Sequence, residues 1–132
     1  MNDVISAKAA AVESTVRAFY AAFSERRRED AEELVAAEFS FTSPYDDAID
    51  RAEFFARCWP GGDRFVHFEV ERLCPTESDA FVTYWGTLDN GVSFRNTEFL
   101  TVEDGKIVSA EVYFGASYRD GKFVPQQPPN DG

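Results

Sequence analysis

Residues 92–115, VSFRNTEFLTVEDGKIVSAEVYFG, hold two runs in which apolar and polar residues alternate on either side of Asp104-Gly105. An Asp-Gly pair between alternating runs is among the strongest short signals for a β-hairpin. Both arms are longer than an average strand, and a lone hairpin is not stable in water. The segment therefore predicts the floor of a cup-shaped fold whose wall and lid come from the rest of the chain.

The residues before this hairpin predict three helices and three further strands. Apolar residues recur at helical spacing over about 5–27, and Asp30 and Asp50 each precede a glutamate by three positions, which is typical of a helix start. Alternation predicts strands over 38–43, 64–73 and 80–88. Helices followed by a run of strands indicate an α+β fold, with the helices packed on one face of a strongly curved sheet that encloses a cone.

The chain of 132 residues is long enough for one domain with a proper core. We expect that domain over residues 1–118. Residues 119–132 predict a small hairpin around Asp120-Gly121 and then a loose, proline-rich tail. Aromatic residues make up 15% of the sequence, including 13 Phe, which indicates an aromatic-lined interior.

With a formal net charge of −11 the chain should repel nucleic acid and anionic membranes, because both are bound through positive surface, and we expect neither as a partner. No apolar run reaches the ~18 residues of a membrane span, and the first residues do not resemble a signal peptide. We therefore expect a cytoplasmic protein in which Cys58 and Cys74 are reduced thiols. Their spacing relative to His67, the single histidine, fits no zinc pattern, so we expect no metal.

Two stretches, RAFYAAFSERRREDAEELVAAEFSFTSPYDDAIDRAEFF and FRNTEFLTVEDGKIVSAEVYFG, resemble the nuclear transport factor 2-like superfamily. Within it the chain is most similar to the SnoaL-like, ketosteroid-isomerase-like group, over residues 11–116. The resemblance implies a conical, cystatin-like α+β barrel with a deep apolar pocket and no cofactor, usually as a homodimer. Members include isomerases, polyketide cyclases, dehydratases, epoxide hydrolases and non-catalytic binding domains, so the fold does not name the activity.

The resemblance also shows which acid-base positions of the enzymatic members are replaced here. Phe19 stands where isomerases carry a tyrosine, and Ser43, before Pro44, stands where they carry the general-base aspartate. Thr97 stands at their second acid, and Gly115 at an acid that epoxide hydrolases and similar cyclases carry. None of these replacements supplies a base at neutral pH.

A second source of acid-base chemistry is the pairing within the hairpin. If Asp104 and Gly105 alone form the loop, Glu98 lies opposite Glu111 and Asn96 lies opposite Tyr113. Two carboxyls in direct opposition favour protonation of one of them, as in an acid-base pair. A bulge or a one-residue slip would separate them.

The orientation of the hairpin decides which residues line the pocket. We favour the face of Val108 and Val112 as the inner one, because it carries no carboxylate, and we place Thr97 on the same side. The pocket predicted in this way is lined by Phe19, Phe23, Ser43, Trp59, Phe81, Trp85, Arg95, Thr97, Phe99 and Phe114. The opposite face is too apolar for water and predicts a homodimer contact through Tyr84, Phe94, Glu98, Leu100, Glu111 and Tyr113.

This arrangement indicates a small-molecule-binding protein for a hydrophobic, cyclic ligand. If it is an enzyme, the resemblance implies isomerase, cyclase or dehydratase chemistry, with Arg95 and Asp46 as catalytic candidates. Alternatively, Arg95 forms a salt bridge with Asp46 or Asp47. The missing acid-base residues favour a different class of function, a non-catalytic ligand-binding or dimerisation domain. Glu98 and Glu111 become catalytic candidates only if the hairpin face is reversed, which would make the chain a stronger enzyme candidate.

Overall fold

One curved, mostly antiparallel sheet packs against the helices in the computed structural model, which describes residues 6–126. This confirms the predicted α+β fold. The helices are α1 (Ala7–Ser24), α2 (Arg28–Glu33) and α3 (Arg51–Glu53), which continues as a π-helix (Phe54–Cys58) and a 3₁₀ helix (Trp59–Arg64). The strands are β1 (Val35–Ser43), β2 (Asp46–Asp50), β3 (Phe65–Pro75), β4 (Asp79–Leu88), β5 (Ser93–Glu103), β6 (Lys106–Arg119) and β7 (Lys122–Phe123).

The sheet has the order β2-β1-β6-β5-β4-β3, and β7 pairs with β6. Neighbouring strands are antiparallel except β1 and β6, which pair in parallel. β1 begins at Val35, three residues before its predicted start, so α2 ends early, at Glu33. The parallel pairing explains this, because Val35 pairs with Ile107 and both side chains are buried.

Side-chain caps begin two of the helices. The Ser6 hydroxyl accepts a hydrogen bond from the Ala9 amide at 3.0 Å, and Asp50 accepts one from the Glu53 amide at 2.9 Å. Each cap satisfies an N–H group that has no partner inside the helix. α1 then buries Val12, Val16 and Phe19 on one stripe against the sheet, at the expected helical spacing.

The hairpin turn forms where it is predicted, but a bulge changes the register beside it. Asp104 and Gly105 have φ angles of 51° and 75°, the left-handed pair of a two-residue hairpin. Val102 pairs with Ile107 while Thr101 pairs with Ser109, so Val108 is the extra residue. Beyond the bulge, the alternation of β6 is displaced by one position relative to β5.

The inner face of the sheet is therefore a mixture of the two predicted faces. On β6 the inner residues are those predicted, such as Ala110 and Val112. On β4 and β5 the predicted faces are wrong. Phe94 and Leu100 point into the core, and so do the residues of β4 and β5 that lie on the same face. The inner residues are Ala80, Val82, Tyr84 and Leu88 of β4, Val92 directly before β5, and Phe94, Asn96, Glu98, Leu100 and Val102 of β5.

Burial of apolar area explains this choice of face. This inner set contains six aliphatic side chains and Phe94, and burying a Val, Leu or Phe side chain contributes about 1.5–3 kcal/mol. The opposite face carries Thr83 and Thr97, whose hydroxyls hydrogen-bond each other at 3.1 Å, and Arg95. Burying Glu98 costs less than burying that polar set, because a carboxyl can take up a proton.

The C-terminal part of the described chain folds back onto the sheet. Asp120 and Gly121 form a second tight turn, with φ angles of 52° and 77°, and the Val124 amide donates to the Ser117 carbonyl at 3.0 Å. Within the predicted tail, Gln126 makes side-chain hydrogen bonds to the sheet, and residues 127–132 lie outside the described residues. The predicted domain boundary at 118 stays a prediction. Over residues 6–126, no helix has the length and hydropathy needed to cross a membrane.

Candidate functional site

A cavity of about 710 Å³ opens between the helices and the inner face of the sheet. Its volume lies within the range of small-molecule sites. Much of its wall is aromatic, and the polar groups are concentrated at its floor and its mouth. The lining residues that carry the argument below are Phe23, Ser43, Asp46, Arg57, Cys58, Arg64, Phe65, Tyr84, Phe94, Asn96, Phe114, Arg119 and Gln126.

The floor of the cavity is formed by two adjacent polar side chains of β4 and β5. Tyr84 and Asn96 are cross-strand partners, and the Asn96 amide donates to the Tyr84 hydroxyl at 3.3 Å. Both line the cavity, and both are buried. A ligand that reaches the floor therefore contacts a tyrosine hydroxyl and a primary amide.

Glu98 lies behind this floor. It follows Asn96 on the same face of β5 and is 8% exposed, which makes it the one buried ionisable carboxyl or amine in residues 6–126. Burial raises the pKa of Glu98 to about 7, and the hydroxyls of Tyr84 and Tyr20 limit that rise. The side chain does not itself line the cavity and lies beside Tyr84, which does.

The two tyrosines beside Glu98 are held in the neutral form. Burial, together with the nearby Glu98 carboxyl, raises the pKa of both Tyr20 and Tyr84 well above 10. The Tyr20 hydroxyl has no well-aligned hydrogen bond among the described residues. Two neutral donors therefore face one carboxyl that changes its protonation near neutral pH.

The C-terminal segment joins this network at one side of the cavity. Gln126 donates from its amide to the Asn96 side-chain oxygen at 2.8 Å and to the Gly115 carbonyl at 3.0 Å. Its backbone carbonyl accepts from the Tyr45 hydroxyl at 2.9 Å. The Asn96 oxygen is thus occupied, and its amide group is held with its donors towards Tyr84 and the cavity.

Asp46 forms a second polar cluster on the cavity wall. Its carboxylate accepts from Ser43 at 2.9 Å and pairs with Arg57 at 2.8 Å, and its side chain is 10% exposed. Burial and then the Asp46 carboxylate raise the pKa of the neighbouring Cys58 thiol to about 12. Cys58 is therefore a neutral, unreactive part of the wall.

Four of the residues predicted for the site line this cavity: Phe23, Ser43, Phe114 and the catalytic candidate Asp46. Phe19 and Trp59 are buried in the core beside it instead. Phe19 packs edge-on against Tyr20, and Trp59 packs edge-on against Phe23 at 5.7 Å between ring centroids. They support the aromatic wall and are not part of its surface.

The other five predicted pocket residues lie on the outer face of the sheet, because the faces of β4 and β5 are reversed. Arg95 makes a two-point ion pair with Glu71, at 2.7 and 3.1 Å, and stacks over Trp85. The alternative interpretation expected an ion pair of Arg95 with Asp46 or Asp47, and Arg95 forms neither of these two pairs. The predicted inward positions are thus wrong for Phe81, Trp85, Arg95, Thr97 and Phe99.

The predicted pair of carboxyls is also wrong. Because of the bulge at Val108, Glu98 lies opposite Val112, and Glu111 lies opposite Phe99 on the exposed outer face. Glu98 is inside, as the reversed face requires, but without Glu111 beside it. Because the faces of β4 and β5 are reversed, four predicted dimer contacts are buried inside the chain instead: Tyr84, Phe94, Glu98 and Leu100.

Tyr84, Asn96 and Tyr20 are the site residues that sequence reasoning missed. From the sequence we assign Tyr84 to the outer face and give Asn96 no place in the pocket, although the apolar residues at alternate positions of β4 and β5 favour burial of the face that carries both. Arg57, Arg64, Arg119 and Gln126 come from separate segments that meet only in the fold. The sequence carries no local signal for their meeting.

The described residues offer no cluster of three or more His, Cys, Asp or Glu side chains that could hold a metal ion. The polar groups of the cavity are instead hydroxyls, amides, guanidiniums and one carboxylate. Such a set binds and polarises oxygen-bearing organic ligands.

Known structures share this fold. A protein from Kribbella flavida DSM 17836 is 23% identical, with a TM-score of 0.75 over 80% of this chain and 87% of that one. A candidate ketosteroid isomerase from the same organism is 18% identical, with a TM-score of 0.71 over 92% and 95%. A protein of unknown function from Burkholderia xenovorans LB400 is 15% identical, with a TM-score of 0.72 over 83% and 87%.

These identities show a common fold and no more. No curated protein matches the sequence. The model of the SnoaL-like domain family matches residues 16–110, well over half of the chain, and that range includes the second half of α1, the cavity floor and Glu98. The chain therefore belongs to the SnoaL-like domain family.

Proposed function

We propose that this protein binds a hydrophobic, cyclic small molecule whose oxygen atom accepts hydrogen bonds at the cavity floor. The observation that carries the proposal is the aromatic cavity that ends on Tyr84 and Asn96. Aromatic walls favour ring compounds through apolar burial and edge-to-face contacts. The paired hydroxyl and amide favour a carbonyl or hydroxyl oxygen at the inner end of the ligand.

We further propose proton-transfer chemistry of the isomerase, cyclase or dehydratase type at this floor. Negative charge that develops on the ligand oxygen is stabilised by the Tyr84 hydroxyl, while neutral Glu98 donates towards the Tyr84 oxygen from behind. A carboxyl with a pKa of about 7 suits this role, because it is present in both protonation states near neutral pH. Asp46 is the carboxylate on the cavity wall that can accept a proton from the ligand.

A non-catalytic ligand-binding domain is the second candidate function. It is favoured by the state of Asp46, whose oxygens are engaged by Arg57 and Ser43. It is also favoured by the position of Glu98 behind Tyr84, because neither arrangement leaves a free base facing the cavity among the described residues.

The two candidates are separated by variants at the floor and a matched control. The substrates are β,γ-unsaturated cyclic ketones, whose conversion to conjugated enones is followed by ultraviolet absorbance. For an enzyme, Tyr84→Phe and Glu98→Gln should each lower kcat by about 10²-fold. Glu111→Gln, an exposed carboxyl on the neighbouring strand, should leave kcat unchanged. A wild-type protein that binds these ketones without turnover would support the binding domain, and one that does not bind them would contradict the proposal.

Homodimerisation through the outer sheet face stays a prediction, with a changed set of residues. That face carries Tyr113, which is 54% exposed, and Phe81, which is 52% exposed and packs on Phe99 at 4.8 Å between ring centroids. Exposed aromatic clusters of this kind mark protein contacts. Light scattering should give the mass of two chains, and the mass of one chain would contradict the dimer.

The cytoplasmic location likewise stays a prediction, which cell fractionation would test.

A further inference from the structure

The charge of the cavity wall is opposite to that of the whole chain. The sequence has 24 acidic and 13 basic residues, for a formal net charge of −11. Within residues 6–126, however, the wall holds three guanidiniums, of Arg57, Arg64 and Arg119, and the single carboxylate of Asp46. A positive entrance on an acidic protein attracts anions and repels cations.

The three arginines differ in how far they are neutralised by the protein. Arg57 pairs with Asp46 at 2.8 Å, and Arg64 pairs with Asp89 at 3.3 Å. For Arg119 no carboxylate lies within ion-pair distance among residues 6–126. Its stem lies beside Gly91 in the turn between β4 and β5, where a Cβ would be 4.0 Å from the Arg119 Cγ. With respect to the described residues, Arg119 thus brings an unpaired positive charge to the rim of the cavity.

The floor is unsuited to a charged group, which fixes the direction of the ligand. Tyr84 and Asn96 supply neutral donors, and the Glu98 carboxyl behind them adds no positive charge that could bind an anion. An acid group at the rim also keeps part of its hydration, whereas one at the floor loses it. An anionic ligand therefore enters with its ring first and leaves its acid group at Arg119.

We infer that the ligand is a ring compound bearing a carboxylate or an equivalent oxyanion, which Arg119 binds at the rim while the ring fills the aromatic cavity. This rests on the proposed function and specifies its class of ligand. A guanidinium and a carboxylate match in a planar, two-point contact.

The test uses two probes of nearly equal shape, 6-hydroxy-2-naphthoate and its neutral analogue 6-hydroxy-2-naphthamide, titrated by their fluorescence. Wild-type protein should bind the carboxylate roughly three- to tenfold more tightly than the amide at low salt, as expected for an ion pair at the surface. The preference should weaken at 0.5 M salt, because the rim is open to counterions.

Two variants assign the preference to its residue. Arg119→Gln should weaken the affinity for the carboxylate probe and leave the affinity for the amide probe unchanged, so that the two affinities become equal. Arg72→Gln removes the same charge from the exposed face of β3, away from the cavity, and should keep the preference. Equal wild-type affinities, or a loss in Arg119→Gln shared by both probes, would overturn the inference and leave the proposed function standing. If wild-type protein binds neither probe, both are overturned.

Discussion

Replacing Glu98 by Gln should make the protein more stable at pH 8 while changing its stability little at pH 5. Burial raises the pKa of Glu98 in the folded state from its ordinary 4.5 to about 7. Between these two values the folded chain holds a proton that the unfolded chain releases, so the free energy of unfolding falls as the pH rises. The full loss is present above pH 7 and amounts to roughly 3 kcal/mol, at about 1.4 kcal/mol per pH unit.

Urea unfolding of wild type and Glu98→Gln at pH 5 and pH 8 measures this effect. Gln keeps the size of the side chain and cannot ionise, so the difference between the two proteins should grow by roughly 3 kcal/mol over that interval. Glu111→Gln is the matched control, because it removes an exposed carboxyl from the adjacent strand and should differ from wild type equally at both pH values. A difference for Glu98→Gln that is the same at pH 5 and pH 8 would show that Glu98 is not desolvated.

Gly115→Ala should destabilise the protein by about 3 kcal/mol through a clash with the neighbouring strand. A Cβ at position 115 would lie 2.4 Å from the Arg95 carbonyl oxygen, and this atom belongs to the backbone and cannot rotate away. The pairing of β5 and β6 is irregular here, since Phe94 pairs with Ser117 and Asn96 with Phe114. Overpacking of this kind typically costs about 1–3 kcal/mol, and it is most expensive where backbone must move.

The same substitution should loosen the cavity floor. The Gly115 amide donates to the Asn96 side-chain oxygen at 3.4 Å, and its carbonyl accepts from Gln126 at 3.0 Å.

Gly105→Ala is the control for the loss of stability. A Cβ there meets nothing within 4 Å, and the φ of 75° alone should cost about 1 kcal/mol. If urea unfolding finds Gly115→Ala no more costly than Gly105→Ala, the close approach of the strands is not as described.

The prediction of the hairpin succeeded, while the prediction of its pairing failed, and the reason is one residue. Asp104-Gly105 is a strong local signal, because few sequences favour the left-handed pair of φ angles that this turn needs. The bulge at Val108 has no such signal, since valine is an ordinary strand residue. Once Val108 is extra, every later residue of β6 faces a different partner, and Glu98 is separated from Glu111.

The local pattern of the sequence thus determined the helices, the strands, their order and an aromatic interior, because periodicity and turn residues act over a few positions. Tertiary packing decided which face of β4 and β5 is buried. As a result, Tyr84 and Asn96 face the cavity with Glu98 behind them, and Arg95 and Thr97 lie on the outer face of the sheet. The physical reason is that the buried face depends on the apolar area of the whole sheet and on a single bulge. Both are sums over residues far apart in the chain, and no short motif records them.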